Sequence, residues 1–119
     1  MNQQGKIKGA IYGLLIGDAV GVPYEFNLPE QLPEYAQIDM IPPKHFQKTY
    51  PNISIGTWSD DGAQALCLLA SLLYEDKMNV EDFMKRMCNW YQYGYMARGY
   101  TNRRKYSPLF SRNSITTRC

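Results

Sequence analysis

Large apolar residues fall at Ile7, Ile11, Leu14, Leu15 and Val22, the three-and-four spacing that places them on one face of a helix. Asp18 continues that face, because positions 7, 11, 14 and 18 align. Through the same stretch, GAIYGLLIGDAVGVPYE, a glycine recurs every fourth residue, and the ladder runs from Gly5 through Gly9, Gly13 and Gly17 to Gly21. Each interior glycine costs a helix about 1 kcal/mol against alanine. Residues four apart form one ridge, so the ladder predicts a second backbone lying close against this helix and holding its acids with little positional freedom. Pro23 is expected to stop the helix and release Tyr24 and Glu25 into the loop beyond it.

From Asn27 to Thr57 the periodicity disappears and prolines arrive at 29, 33, 42, 43 and 51. A stretch of this length without clear elements reads as a lid or binding loop. It holds His45, the chain's single histidine, to which no chemistry is assigned. A second helix is expected after it, capped by Ser59 or Thr57, with Asp60 and Asp61 in the first turn where negative charge suits the helix dipole. Ala65, Leu66, Leu69, Leu72 and Leu73 would form its core face. A third helix starts at Asn79, with Asp82 three residues on, and would bury Val80, Phe83, Met84, Met87, Cys88 and Tyr91. Neither β-type alternation nor a repeat of fixed period is visible. The expected fold is all-α.

Composition narrows the class. At 119 residues the chain has the length of one small domain, and an apolar fraction of 45 % with 13 % aromatic residues argues against intrinsic disorder. The net charge of +2 conceals an asymmetry: residues 1–97 hold all eleven acids against seven Lys and Arg, while residues 98–119 hold the other six basic residues and no acid. The organisation expected is therefore a helical portion, 1–97, followed by a basic irregular tail, 98–119. That tail reads as an arm for nucleic acid or a membrane surface, as a solvated charged end, or as sequence not native to the fold. The three cysteines, Cys67, Cys88 and Cys119, show no CxxC or Cys/His spacing, which signals neither a disulfide framework nor a zinc site and suits a cytosolic setting. The apolar run after Lys8 is too short to span a bilayer and lacks the cleavage pattern of a signal peptide.

Two acidic clusters remain as candidate chemistry. Asp18 on a buried stripe is expensive unless it is paired, hydrogen-bonded or bound to a cation. Ser59, Asp60 and Asp61 place a hydroxyl and two carboxylates at the head of a helix. Such oxygen donors suit a hard divalent ion, Mg²⁺ or Mn²⁺, rather than zinc. Alone, this triplet reads more readily as a helix cap than as a metal site.

Together, the two segments resemble the ADP-ribosylglycohydrolase family, the group that includes the dinitrogenase-reductase-activating glycohydrolase and the ADP-ribosyl-acceptor hydrolases. The first motif is matched at Gly9, Gly13, Gly17, Asp18, Ala19, Gly21, Pro23 and Glu25, the second at Asp60, Asp61 and the small and apolar helix after them. The resemblance covers roughly residues 5 to 97. It implies the N-terminal part of an orthogonal all-α bundle with two Mg²⁺ or Mn²⁺ ions at its centre. Ser59, Asp60 and Asp61 would then be metal ligands, Glu25 the acid that positions or deprotonates the attacking water, and Asp18 a supporting carboxylate. The implied substrate is an ADP-ribosylated protein or a small ADP-ribose conjugate; neither a membrane nor nucleic acid is an expected partner.

The chain departs from the family pattern in two places. Ser59 stands where the family has Thr, which keeps the hydroxyl. More seriously, the family closes its metal site with a second Asp-x-Asp motif, and no acid follows Asp82. The loss of period and of acids near Ala97 reads as a truncated or frame-shifted reading frame, and the expected consequence is weak or absent hydrolase activity. The runner-up reading is a non-catalytic structural or interaction relative of the same family.

Overall fold

The computed structural model describes residues 2–98; the expected basic tail, apart from Arg98, lies outside them. Among the described residues there are three α-helices and no strand: α1 (Gln3–Gly21), α2 (Asp60–Glu75) and α3 (Val80–Tyr93). No helix among them is long and apolar enough to cross a membrane. The fold is all-α, as the periodicities predict.

The Asn2 side chain caps α1 by accepting from the Gly5 amide at 2.8 Å. The helix runs to Gly21 and tightens into a 3₁₀ turn, Val22–Tyr24, with Pro23 inside it. Proline fits here because its fixed φ suits the turn and the first turn of a helix needs no donor from it. Tyr24 therefore ends this turn and does not yet lie in irregular loop. It is buried with Val22 and Pro23, its hydroxyl donates to the Asp39 carbonyl at 3.0 Å and accepts from the Asp39 amide at 3.3 Å, and its ring lies 5.0 Å from that of Phe46. The long loop is thus pinned through its middle. Its regular pieces are two 3₁₀ turns, Pro29–Gln31 and Tyr35–Gln37.

Helices α2 and α3 form a hairpin. The turn passes through Asp76 in the left-handed region, φ 53°, and Asn79 caps α3 by accepting from the Asp82 amide at 3.2 Å. Gly94, φ 71°, closes α3 in the left-handed conformation that glycine adopts without strain.

The buried seam of α2 is not the leucine face expected from its period. Ala63, Cys67 and Ser71, spaced by four, are buried together with Gly62. Small residues there let α3 approach closely, and the Cys67 thiol reaches the Arg86 carbonyl at 3.7 Å. Burial pushes that thiol above its ordinary value, which leaves it protonated and unreactive. The larger residues are only partly covered. Leu73 is 75 % and Val80 62 % exposed, Met84 and Tyr91 are exposed too, and no residue of α3 is fully buried. The described residues thus bury fully the small-residue side of α2 and leave its leucines, and all of α3, partly or wholly exposed.

The glycine ladder departs further from expectation. A Cβ placed on Gly9, Gly13, Gly17 or Gly21 would meet no atom within 4 Å. Among the described residues no backbone approaches the ridge, so it does not constrain Asp18 or Glu25.

One ion pair buttresses the hairpin. Arg86 Nε donates to Asp82 Oδ2 at 2.7 Å, its Nη1 donates to the Tyr95 hydroxyl at 3.1 Å, and its guanidinium lies 5.5 Å from the centre of the Tyr74 ring. The buried Ser71 hydroxyl sits beside Asp82 without a hydrogen bond of good geometry. The hydrogen bond from Arg86, with a smaller contribution from Ser71, holds the Asp82 carboxyl below the usual carboxylate range. A folded pKa below the unfolded value of about 4 means that this stabilisation is fully present above pH 4 and is lost as pH falls through the folded value. Thermal unfolding followed from pH 6 to pH 2 should therefore show a smaller acid-induced fall in Tm for Asp82→Asn than for the unmodified chain. Parallel curves would mean that the pair contributes no pH dependence.

Candidate functional site

Asp18 lies on α1 one turn before its end and Ser59 immediately precedes α2, yet the two meet directly. The Ser59 amide donates to Asp18 Oδ2 at 2.8 Å, the Ser59 hydroxyl to Oδ1 at 2.6 Å, and the Gly62 amide to Oδ2 at 2.8 Å. A helix leaves its first amides without partners, and a side chain at the N-cap usually accepts from them. Ser59 occupies the N-cap position but makes no capping hydrogen bond of its own. The cap is supplied instead by a carboxylate from another helix, which is where the buried-stripe acid of α1 finds its partners. The carboxylate thereby stands at the positive end of the α2 dipole.

Gly62 makes this contact possible. A Cβ there would fall 2.7 Å from Asp18 Oδ2 and 2.8 and 2.9 Å from Trp58 Cβ and Cγ. Trp58 is itself held by a 3.0 Å bond from its indole to the Met96 carbonyl, so neither neighbour yields freely. A glycine in the first turn of a strongly periodic helix is the sequence signal for this role.

With its proton committed to Asp18, the Ser59 hydroxyl keeps lone pairs for another partner. Ser59 is 3 % exposed, while Asp60 and Asp61 are exposed on the first turn of α2. Among the described residues, no three His, Cys, Asp or Glu side chains converge closely enough to hold a metal ion. The donor set is of the right chemistry for a hard cation and is incomplete by itself.

Glu25 follows the 3₁₀ turn and is half-buried. Rise per residue places its Cα within about 14 Å of that of Asp18 along the chain, so it stands at the same end of α1 as the capped head of α2. Its backbone is clamped from both ends of the loop. Asn27 Nδ2 donates to the Tyr24 carbonyl at 3.0 Å, to the Glu25 carbonyl at 3.1 Å and to Thr49 Oγ1 at 2.9 Å. The Thr49 hydroxyl also donates to the Glu25 carbonyl, and the Thr49 amide to that of Pro23 at 3.1 Å. Phe26, the next residue, adopts a left-handed φ of 59° and is 86 % exposed. A bulky residue held there is strained. Asn27 and Thr49 left no sequence signal, because their pairing spans 22 positions of aperiodic loop.

An open cavity of about 600 Å³ adjoins this clamp, lined in part by Phe26, Asn27, His45, Phe46, Lys48 and Thr49. It brings His45 to a concave surface whose lining carries no acid.

The profile of the ADP-ribosylglycohydrolase family matches residues 1–117. The chain is similar to the ADP-ribosylarginine hydrolase Tri1 of Serratia proteamaculans, 34 % identical over 89 residues, which are 75 % of this chain and 22 % of the relative. It is similar to the protein of the same name from Pseudomonas putida, 35 % identical over 89 residues with the same coverage. An uncharacterized protein of Archaeoglobus fulgidus is 31 % identical over 88 residues, 72 % of this chain and 27 % of that one. The chain thus spans about a quarter of the length of these relatives. No solved structure gives a significant match. A match that takes in both motifs, joined in space by the Asp18 carboxylate, carries the conclusion that the chain belongs to the ADP-ribosylglycohydrolase family.

Proposed function

We propose that this chain carries the first half of a two-ion hydrolase site that releases ADP-ribose from a modified protein side chain. The observation behind this reading is the capping of α2 by Asp18, which fixes the backbone of Ser59 and Gly62 and leaves the Asp60 and Asp61 carboxylates exposed beside it. Ser59, Asp60 and Asp61 would hold Mg²⁺ or Mn²⁺, whose preference for oxygen donors they meet. Ions of this kind, when bound, would acidify water and stabilise charge at the reacting ribose.

The chain's own residues have distinct tasks. Asp18 holds the ligand turn in place. Glu25, on a backbone clamped by Asn27 and Thr49, positions the attacking water and takes its proton as the glycosidic bond opens with oxocarbenium character. The activity of the related ADP-ribosylarginine hydrolases supports ADP-ribosylated arginine as the substrate class.

No acid follows Asp82 in the sequence, so the second aspartate motif of the family lies outside these residues. The purified chain should accordingly release ADP-ribose from an ADP-ribosylarginine peptide at background rate in Mg²⁺ or Mn²⁺, read by chromatography. Rapid release would contradict the half-site. Metal binding is the direct test of the site itself. Mn²⁺ at ten times its Kd should stabilise the chain by about 1.4 kcal/mol, and Asp60→Asn should abolish the shift. No shift at millimolar metal would favour the second reading, a non-catalytic relative.

A further inference from the structure

Two side chains converge on Gly62. One is the Asp18 carboxylate from α1. The other is Trp58, whose Cβ and Cγ lie 2.8 and 2.9 Å from the place a Gly62 Cβ would take. The half-buried Trp58 thus lies against the first turn of α2, and its indole N–H donates to the Met96 carbonyl at 3.0 Å, 38 positions along the chain. Trp58 immediately precedes Ser59, so whatever fixes its ring also fixes the direction in which residues 59–61 leave the loop. The acceptor is itself held in place. Past the end of α3 the Gly94 amide donates to the Trp90 carbonyl at 2.9 Å, the Tyr95 amide to that of Asn89 at 3.3 Å and the Ala97 amide to that of Gly94 at 2.9 Å. Met96, inside this turn, has φ 64°, a conformation that a residue with a side chain keeps only where its surroundings impose it. Two tethers do so: the Trp58 indole on the Met96 carbonyl, and Arg86 Nη1 on the Tyr95 hydroxyl at 3.1 Å.

We infer that Trp58 is a positioning residue for the head of α2, tied through Met96 to the end of α3 and converging with Asp18 on Gly62. This inference rests on the reading of Ser59, Asp60 and Asp61 as ligands of a divalent ion. Neither the indole nor Met96 would touch the ion. Their effect is to hold the backbone that carries the oxygen donors in one arrangement, and outer partners of this kind change metal affinity by about 10–100-fold. Helix α3 supplies no candidate ligand, yet it acts on the ligand turn through this one hydrogen bond.

Trp58→Phe keeps a ring against Gly62 and removes only the N–H donor. In the full chain, hydrogen exchange at the Ser59 and Gly62 amides, which donate to Asp18, should quicken about tenfold, with little change at the Asp82 amide in the cap of α3. Mn²⁺ affinity, read from the paramagnetic resonance signal of free Mn²⁺, should fall about tenfold. Tyr95→Phe removes the acceptor for Arg86 and leaves the indole bond in place; it should show the same pair of effects at about threefold, and it carries the test if Trp58→Phe does not fold. Asn79→Ala removes the α3 cap and should lower Tm without changing the Mn²⁺ Kd. The inference is overturned if exchange at Ser59 and Gly62 is unchanged, if it rises equally at Asp82, or if it quickens locally while the Kd stays that of the parent. Exchange is read without metal. Local quickening in a chain that binds no Mn²⁺ therefore counts against the ion site and supports the tether.

Discussion

Asp18→Ala is expected to destabilise the chain by about 3 kcal/mol, the largest effect of any single substitution at the site. Hydrogen bonds to a charged group contribute about 1.5–3 kcal/mol each, and loss of a helix cap about 1 kcal/mol. Alanine removes three bonds and the cap together, with part of the loss recovered by water at a half-buried site. Asp18→Asn should cost less, because the asparagine oxygen can stand where Oδ2 accepts from two amides and its NH₂ can donate to a lone pair of the Ser59 hydroxyl at the Oδ1 position, so that the charge is lost and the bonds are kept. Urea unfolding gives the magnitude, and amide exchange at Ser59 and Gly62 gives the location. A change below about 0.5 kcal/mol would be of the size usual for substitutions away from any structural feature, and would mean that the three bonds do not hold in solution.

Gly62→Ala follows from the same contact and carries the opposite sign to ordinary helix propensity. At an open helix position alanine stabilises by about 1 kcal/mol over glycine. Here the new Cβ would lie 2.7 Å from a carboxylate oxygen and under 3 Å from two Trp58 atoms, an overpacking of the kind that costs about 1–3 kcal/mol, and it would push Asp18 out of reach of the amides. The net expectation is a loss of about 2 kcal/mol. In the double variant with Asp18→Ala the clash with the carboxylate is gone while that with Trp58 remains, so the two losses should add to less than their sum. Strict additivity would mean that Gly62 and Asp18 act independently.

The contrast between Gly62 and the ladder shows what one-dimensional pattern carries. The helices were legible because their apolar period is a local property, and the cap of α3 because Asn79 acts on an amide three residues away. The isolated acid in an apolar face was legible as a demand for partners, but not which partners, since Ser59 and Gly62 lie more than 40 positions along the chain. Spacing by four announced that the α1 glycines form a row without saying whether anything lies against it. The leucine faces of α2 failed for a related reason. Period identifies an apolar side, while burial depends on what is present to cover it, and the described residues cover the Ala63–Cys67–Ser71 seam instead. The clamp of Asn27 and Thr49 on Glu25 had no local signature at all.

Mn²⁺ titration of the chain, followed by paramagnetic broadening of its backbone amide resonances, tests most directly whether Asp18 organises half of a divalent-ion site. Broadening should be strongest at Ser59, Asp60 and Asp61, extend to Glu25, vanish in the Asp60→Asn and Asp61→Asn double variant, and need about tenfold more metal in Asp18→Asn. Broadening spread evenly over exposed acids such as Glu30, Glu34 and Glu81, with no preference for the head of α2, would contradict it.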